Sequence, residues 1–149
     1  MSSATQIHAT CVEVAGAGVL LLGGSGAGKS DLALRLIDAG ARLVADDRTD
    51  LVRRDGEVFA SAPASIAGAI EVRGLGIVSV PAVSHAPVRL AIELVRPEQV
   101  ERLPDARTRD YLGVPIPVVM LAPFEASSVA KVRIAARGAG AMDAHPKTQ

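Results

Sequence analysis

The sequence has 149 residues, 49% of them apolar, and its 16 Lys and Arg residues balance 16 Asp and Glu residues. This composition predicts one domain, residues 1–149, with a single sizeable core, and argues against global disorder. Balanced charge and 2% aromatic residues provide neither the basic surface nor the stacking platforms of a nucleic-acid-binding protein. No apolar run reaches the ~18 residues of a membrane span, and no secretory signal is apparent, so we expect a cytoplasmic protein.

The first predicted elements form a β-hairpin. Residues 1–6 read as an irregular start, residues 8–14 as a strand, and the apolar run 19–22 as a second strand after a glycine-containing turn. A continuous apolar run is typical of a strand buried on both faces. Because one hairpin strand starts where the other ends, we expect His8 to lie near the segment that follows residue 22.

That segment, residues 23–30, reads Gly-Gly-Ser-Gly-Ala-Gly-Lys-Ser and fits the phosphate-binding pattern G-x-x-x-x-G-K-[ST]. It stands between a buried strand and a helical pattern over residues 31–39, the context that the motif requires. Its backbone N–H groups and the helix dipole favour an anion, Lys29 is suited to the β- and γ-phosphates, and the Ser30 hydroxyl is suited to Mg²⁺. The residues that we expect to bind the phosphates are Gly23, Gly24, Ser25, Gly26, Ala27, Gly28, Lys29 and Ser30.

Two acidic residues end the next predicted strand, residues 42–47. Because this strand follows the helix closely, we expect it to lie parallel to and beside the strand that precedes the loop, with its end near the phosphates. Phosphoryl transfer needs a group that takes the proton of the acceptor hydroxyl. Asp46 is our candidate for this base. Asp47, which strand alternation points to the other face, is the second choice.

The rest of the chain is predicted to supply further strands and one helix. Glu71 and Arg73 flank a glycine-rich bend, where a carboxylate can complete a metal shell and an arginine can stabilise transferred charge, although a surface ion pair explains them equally well. The predicted elements are a hairpin over 51–60, a glycine-interrupted strand over 70–80, strands over 88–95 and 116–121, a polar, partly helical segment over 98–109, an amphipathic helix over 125–137 and a mobile tail from about 138.

Four of these segments together resemble the catalytic C-terminal domain of HPr kinase/phosphorylase. They are His8, the loop 23–30, the run 43–47 (Leu-Val-Ala-Asp-Asp) and residues 71–77 (Glu-Val-Arg-Gly-Leu-Gly-Ile), and the resemblance extends over about residues 7–137. It implies an α/β phosphate-loop fold of the phosphoenolpyruvate-carboxykinase type, with a mixed sheet and flanking helices. The chain begins at the catalytic domain and so is similar to the short form known in alphaproteobacteria.

The resemblance also implies an activity and residue roles. The family uses ATP, or in many members pyrophosphate, to phosphorylate a serine of the phosphocarrier protein HPr, and it removes that phosphate with inorganic phosphate. Members are commonly hexamers. Asp46 is implied as the base of the forward reaction and the acid of the reverse, and Arg102 is implied by similarity to an Asp-Arg-Leu segment. The implied catalytic residues are Asp46, His8, Lys29 and Arg102, and the implied Mg²⁺ ligands are Ser30 and Glu71.

One segment departs from the family pattern. Where members read Pro-Val-Arg-Pro-Gly-Arg-Asn-Leu-Ala, residues 122–130 read Ala-Pro-Phe-Glu-Ala-Ser-Ser-Val-Ala, so Phe124 and Ser127 replace two arginines. Arginine binds phosphate strongly, and this segment belongs to the dephosphorylating half of the chemistry. We therefore expect kinase activity with weak or absent phosphorylase activity. A small-molecule kinase and a nucleotide-binding module that transfers no phosphate remain as alternatives.

Overall fold

The computed structural model of the protein describes residues 3–144, with side chains as far as residue 139. The elements are β1 (Ala4–His8), β2 (Thr10–Val14), β3 (Ala17–Leu22), α1 (Lys29–Asp38), β4 (Arg42–Ala45), β5 (Arg48–Arg54), β6 (Glu57–Ser61), β7 (Ala69–Val72), β8 (Gly76–Ser79), β9 (Ala86–Leu94), β10 (Arg107–Tyr111), β11 (Val114–Leu121) and α2 (Ser128–Ala144), with short 3-10 turns at Ala64–Ile66 and Pro97–Gln99. No helix in this part of the chain is both long and apolar enough to cross a membrane.

One large mixed sheet contains every strand just named except β7 and β8, which pair with each other. The strand order is β1-β5-β6-β9-β3-β2-β4, and β11 also pairs with β9 and carries β10 on its other side. The first residues of β9 run antiparallel to β6, and its later residues run parallel to β3 and β11. This mixed sheet with two helices agrees with the α/β class predicted from the sequence.

The central strand β3 is buried on both faces, as its continuous apolar run predicts. Val19 and Leu21 face a core that includes residues of both helices, whereas Leu20 and Leu22 face a second core formed with β5 and β6. Cys11 of β2 lies in the second core and is fully buried. Burial raises the pKa of the Cys11 thiol, so this side chain packs as a small apolar group and is not a nucleophile.

The hairpin predicted before the phosphate loop is confirmed, because β2 pairs antiparallel with β3. The predicted position of the strand after α1 is wrong: β4 pairs antiparallel with β2, and not parallel with β3. The two sides of β3 are occupied by β2 and β9. Both β3 and β4 run antiparallel to β2, so they point the same way. Their carboxyl ends therefore still reach the same edge of the sheet.

Two edge strands are missing from the predicted elements. Within the described residues, β1 pairs with β5 alone, and β10 pairs with β11 alone. Most of their side chains are exposed, so neither segment shows the apolar alternation by which a half-buried strand is recognised. Part of the segment predicted as an irregular start is therefore β1, and His8 ends β1 instead of opening the hairpin strand. The polar segment 98–109 likewise contains the start of β10.

The other predicted elements agree with the structure apart from their bounds. The predicted hairpin 51–60 and strands 88–95 and 116–121 correspond to β5–β6, β9 and β11. The segment 70–80 is the hairpin β7–β8, which turns at its glycines, and not one interrupted strand.

The last helix is longer than the sequence indicates. α2 buries Val132 and Ala136, as its apolar spacing predicts. It continues to Ala144, beyond the predicted end at residue 137. Residues 145–149 of the expected tail lie outside the described part of the chain.

Candidate active site

Three strands end at one edge of the large sheet. The last residue of β3, Leu22, lies opposite Glu93 near the end of β9, and the last residue of β4, Ala45, lies opposite Cys11 near the start of β2. Ligands of α/β proteins bind beyond the carboxyl ends of strands. The loop 23–30 leaves β3 at this edge and Asp46 leaves β4 there, so the sheet brings together the two features that the sequence singles out.

The phosphate loop turns sharply at Gly28, which caps the N-terminus of α1. Its φ of 102° lies in the left-handed region, and a Cβ placed there would lie 2.7 Å from the ring of Phe124. The helix begins with the bond from Leu32 N to Gly28 O at 2.9 Å. The earlier N–H groups of the first turn have no intrahelical acceptor, which makes this helix start suited to an anion.

The ammonium group of Lys29 lies against the backbone of the same loop. Its Nζ donates to Gly23 O at 2.7 Å and to Gly24 O at 3.0 Å, and the residue is only 7% exposed. A charged donor is effective for phosphate oxygens when it is already positioned and partly desolvated. The structure therefore places Lys29 at the loop that the sequence assigns to phosphate.

Asp46 lies at the centre of the hydrogen-bond network of the site and is 7% exposed. Its Oδ1 accepts hydrogen bonds from Ser30 Oγ at 2.7 Å and from Thr10 Oγ1 at 3.2 Å. Its Oδ2 accepts one from the backbone N–H of Glu71 at 3.2 Å. One carboxylate thus links the phosphate loop and α1 to β2, β4 and β7.

The oxygen donors gathered here suit Mg²⁺. This ion is usually bound by one or two carboxylates together with substrate phosphates and water, and not by an all-protein cage. Ser30 supplies a hydroxyl 2.7 Å from the Asp46 carboxylate, and Glu71, the other expected ligand, enters this network through its backbone N–H, with its side chain exposed. Among the described side chains, no group of three or more His, Cys, Asp or Glu residues is arranged to hold a metal without such help.

His8 reaches this edge of the sheet next to Asp47, the second-choice acid. His8 Nε2 lies 2.6 Å from Asp47 Oδ1, and their side chains are 57% and 60% exposed. Asp47 has a left-handed φ of 69°. Asp46 is buried and Asp47 is exposed, and because β4 ends at Ala45 this difference follows the turn at Asp47 and not the alternation of a strand.

Thr10 is a site residue that sequence reasoning missed. It is fully buried at the start of β2, where its hydroxyl donates to Asp46 Oδ1 and accepts the backbone N–H of Asp47 at 3.1 Å. It therefore fixes the orientation of one acid and the left-handed backbone of the other. The available signal was weak: a single hydroxyl beside the apolar residues Cys11 and Val12, two residues after His8.

We expect Thr10→Val, which keeps the shape of the side chain, to destabilise the fold by about 1–3 kcal/mol, because the N–H of Asp47 loses its partner. A loosened Asp46 should also lower the kcat of any transfer reaction, by up to ~10²-fold, while the KM of the donor stays unchanged. Urea unfolding and steady-state kinetics measure the two effects. Thr10→Ser keeps the hydroxyl and should retain most of both properties; equal losses in Thr10→Ser would contradict a role for this hydrogen bond.

The structure does not bring every predicted residue to the site. Arg73 and Arg102 are both exposed. Arg102 lies between the 3-10 turn 97–99 and β10, next to Glu101, which pairs with Arg107 at 3.4 Å. Among the contacts of the described residues, none joins either arginine to Asp46 or to the phosphate loop.

Known proteins share this architecture. The family model described as the HPr Serine kinase C-terminal domain matches residues 1–143. The HPr kinase/phosphorylase of Clostridium tetani is 38% identical over 128 residues, which cover 78% of this chain and 42% of that protein. That of Clostridium novyi is 45% identical over 113 residues, which cover 74% of this chain and 36% of that protein. This chain therefore spans less than half the length of either relative.

A solved structure, the Hpr(Ser) kinase/phosphatase from Coxiella burnetii, has the same fold. It matches with a TM-score of 0.83 and 30% sequence identity, over 95% of this chain and 99% of that chain. The agreement includes the mixed sheet and its few helices, which were predicted from the sequence as a phosphate-loop α/β fold.

Proposed function

This chain belongs to the HPr serine kinase C-terminal domain family, and from that premise we propose that it transfers the terminal phosphoryl group of ATP to a serine of the phosphocarrier protein HPr. The observation that carries the proposal is the 2.7 Å hydrogen bond between Ser30 Oγ and Asp46 Oδ1. It joins the last residue of the phosphate loop to a buried carboxylate, which brings the donor site and a proton acceptor into contact. The serine of HPr is the acceptor that the names of the similar proteins indicate.

In this proposal each group of the site has one task. Lys29 and the N–H groups of the loop bind the donor phosphates, and Ser30 and Glu71 hold Mg²⁺, which when bound neutralises charge on the phosphates. The serine oxygen forms a bond to the γ-phosphorus as the bond from that phosphorus to the β–γ bridging oxygen breaks, and ADP leaves. Asp46 accepts the hydroxyl proton. His8, paired with Asp47, borders the entry of the acceptor, and Arg102 is the candidate for stabilising transferred charge.

We propose that the same site catalyses the reverse reaction, removal of the phosphate from HPr by inorganic phosphate, only poorly. Segment 122–128 lies against the phosphate loop through Phe124 and offers a carboxylate, Glu125, that pairs with Lys131 at 3.1 Å. An aromatic ring and a carboxylate do not attract a free phosphate ion as arginines would. The proposed activity is therefore that of a kinase whose phosphorylase activity is weak or absent.

We also place the reaction in the cytoplasm and in a homo-oligomer, which in this family would be a hexamer. Leu75 and Ile77 of the β7–β8 hairpin are 77% and 76% exposed. Two large apolar side chains exposed on one hairpin support a surface that is buried in an assembly.

The proposal is tested by incubating the protein with HPr, Mg²⁺ and ATP and measuring the intact mass of HPr. We expect one added phosphate on HPr, and none with the Lys29→Met variant. Phosphorylated HPr and inorganic phosphate should then release little or no pyrophosphate. Unchanged HPr despite detectable ATP binding would favour a small-molecule kinase or a module without transfer activity, and rapid pyrophosphate release would contradict the proposed direction.

A further inference from the structure

A pocket of about 500 Å³ opens beside the phosphate loop. It is bounded by Gly26 and Ala27 of the loop, by residues 94–97 and 99 at and beyond the end of β9, and by residues 122–125 after β11. Its size lies within the range of small-molecule sites. Apart from the two loop residues, none of the groups assigned above to phosphoryl transfer lines it. The pocket is therefore additional space that is continuous with the site for the donor phosphates.

Phe124 lines this pocket and also lies against the loop at Gly28. It is 69% exposed, and the atoms of its ring nearest to a Cβ placed on Gly28 are Cζ, Cε1 and Cε2. The tip of the ring thus points at the loop, while most of its surface stays open to solvent. The chain has only two Phe and one Tyr, and an exposed aromatic ring next to a ligand pocket is suited to stacking.

The segment that carries Phe124 is fixed in place. Ser128 Oγ donates to Ala122 O at 2.7 Å, which closes the segment on itself. Arg35 of α1 donates from Nη2 to Pro123 O, which ties the segment to the helix that begins at the phosphate loop. The position of the ring relative to the loop is therefore set by the fold and does not depend on a mobile lid.

The chemistry of the walls favours a flat, weakly polar group and disfavours a second anion. Leu94, Pro97 and Pro123 are apolar, and the carboxylate of Glu125 would repel additional phosphate. Among the described residues that line the pocket, the one cation is Arg96, which pairs with Glu98 at 3.0 Å. A nucleobase meets these conditions, whereas pyrophosphate is anionic throughout and does not.

We propose that this pocket binds the base and ribose of a nucleoside triphosphate, with the base stacked on Phe124, so that the chain takes a nucleoside triphosphate in preference to a bare polyphosphate. The inference rests on the proposed phosphoryl-transfer function, and it names the residue that distinguishes a nucleotide donor from a bare polyphosphate. Stacking of a base on one aromatic side chain corresponds to about a 5- to 100-fold gain in affinity.

The test compares the binding of ATP and of tripolyphosphate, each with Mg²⁺, by isothermal titration calorimetry. The unmodified chain should bind ATP more tightly. Phe124→Ala should weaken ATP binding by about 5- to 100-fold and leave tripolyphosphate binding unchanged, whereas Phe124→Trp should retain the preference. Ile134→Ala removes another exposed apolar side chain, 62% exposed on α2 and outside the pocket, and should change neither affinity.

The outcomes separate this inference from the proposed function. Equal affinity of the unmodified chain for ATP and tripolyphosphate would overturn the base-binding pocket and leave the phosphate site intact. Parallel losses of both ligands in Phe124→Ala would overturn it too, because the ring would then act only by supporting the loop. Absence of binding of either ligand to the unmodified chain would overturn the phosphate site and this inference with it.

Discussion

Replacement of Asp46 with asparagine should lower the rate of phosphoryl transfer to HPr by about 10²–10⁴-fold, the contribution of a general base. An amide has the same size and keeps one oxygen, which can still accept the hydrogen bonds of Ser30 and Thr10. It cannot take the proton of the acceptor serine. ATP binding should persist, because Lys29 and the loop are unchanged. Single-turnover transfer followed by the mass of HPr, with ATP affinity measured in parallel, tests both halves of the prediction.

Asp47→Asn is the matched control for this change. It removes the neighbouring carboxylate, which is exposed and paired with His8, and it should cost much less in the transfer rate. Asp46→Asn also places an NH₂ group opposite the N–H of Glu71, so two donors face each other. The free energy of unfolding of Asp46→Asn should therefore fall by about 1–3 kcal/mol and must be measured. If Asp46→Asn is folded and binds ATP but loses less than about tenfold in rate, Asp46 is not the base.

The second large effect is expected from Lys29→Met, which keeps an unbranched side chain and removes the ammonium. Hydrogen bonds to charged groups contribute about 1.5–3 kcal/mol each, so ATP affinity should fall by at least 10- to 100-fold. Lys29 is nearly buried, and its Nζ also joins the carbonyls of Gly23 and Gly24. The variant should therefore lose some order in the loop as well. Calorimetry with ATP and Mg²⁺ measures the loss.

Lys131→Met provides the comparison for a lysine outside the loop. Lys131 forms an ion pair with Glu125, in which the side chains are 50% and 40% exposed, and such pairs contribute little. Its replacement should leave ATP affinity nearly unchanged. Similar losses in the two variants would mean that the net charge of the protein, and not the position of Lys29, determines the binding of the nucleotide.

Local patterns in the sequence were sufficient to predict the elements that position the loop. A glycine motif between an apolar run and a helical pattern identifies β3, the loop and α1, and a short turn identifies the β2–β3 hairpin. Strand neighbours are not encoded locally, which is why β4 was assigned the wrong partner. β9, which takes the place beside β3, begins at residue 86, and no short-range signal indicates that pairing.

Site residues could be predicted from the sequence where they belong to a motif. They could not be predicted where only tertiary contacts bring them to the site. Lys29, Ser30 and Asp46 follow from spacing and lie together as expected. Thr10 joins them only because β2 lies between β3 and β4. The ring of Phe124 meets Gly28 because segment 122–128 folds back onto α1. The sequence marked Phe124 as a departure from the family pattern, but it did not show what the ring contacts.

The position of β9 affects how the protein unfolds. This one strand pairs with β6 through its first residues and with β3 and β11 through its later ones. Neither half of the sheet can separate without breaking hydrogen bonds of the same strand, so unfolding should be a single cooperative event. A destabilising substitution in the β5–β6 hairpin should therefore also lower the thermal stability of the candidate active site. Activity and the folded structure should be lost at the same temperature.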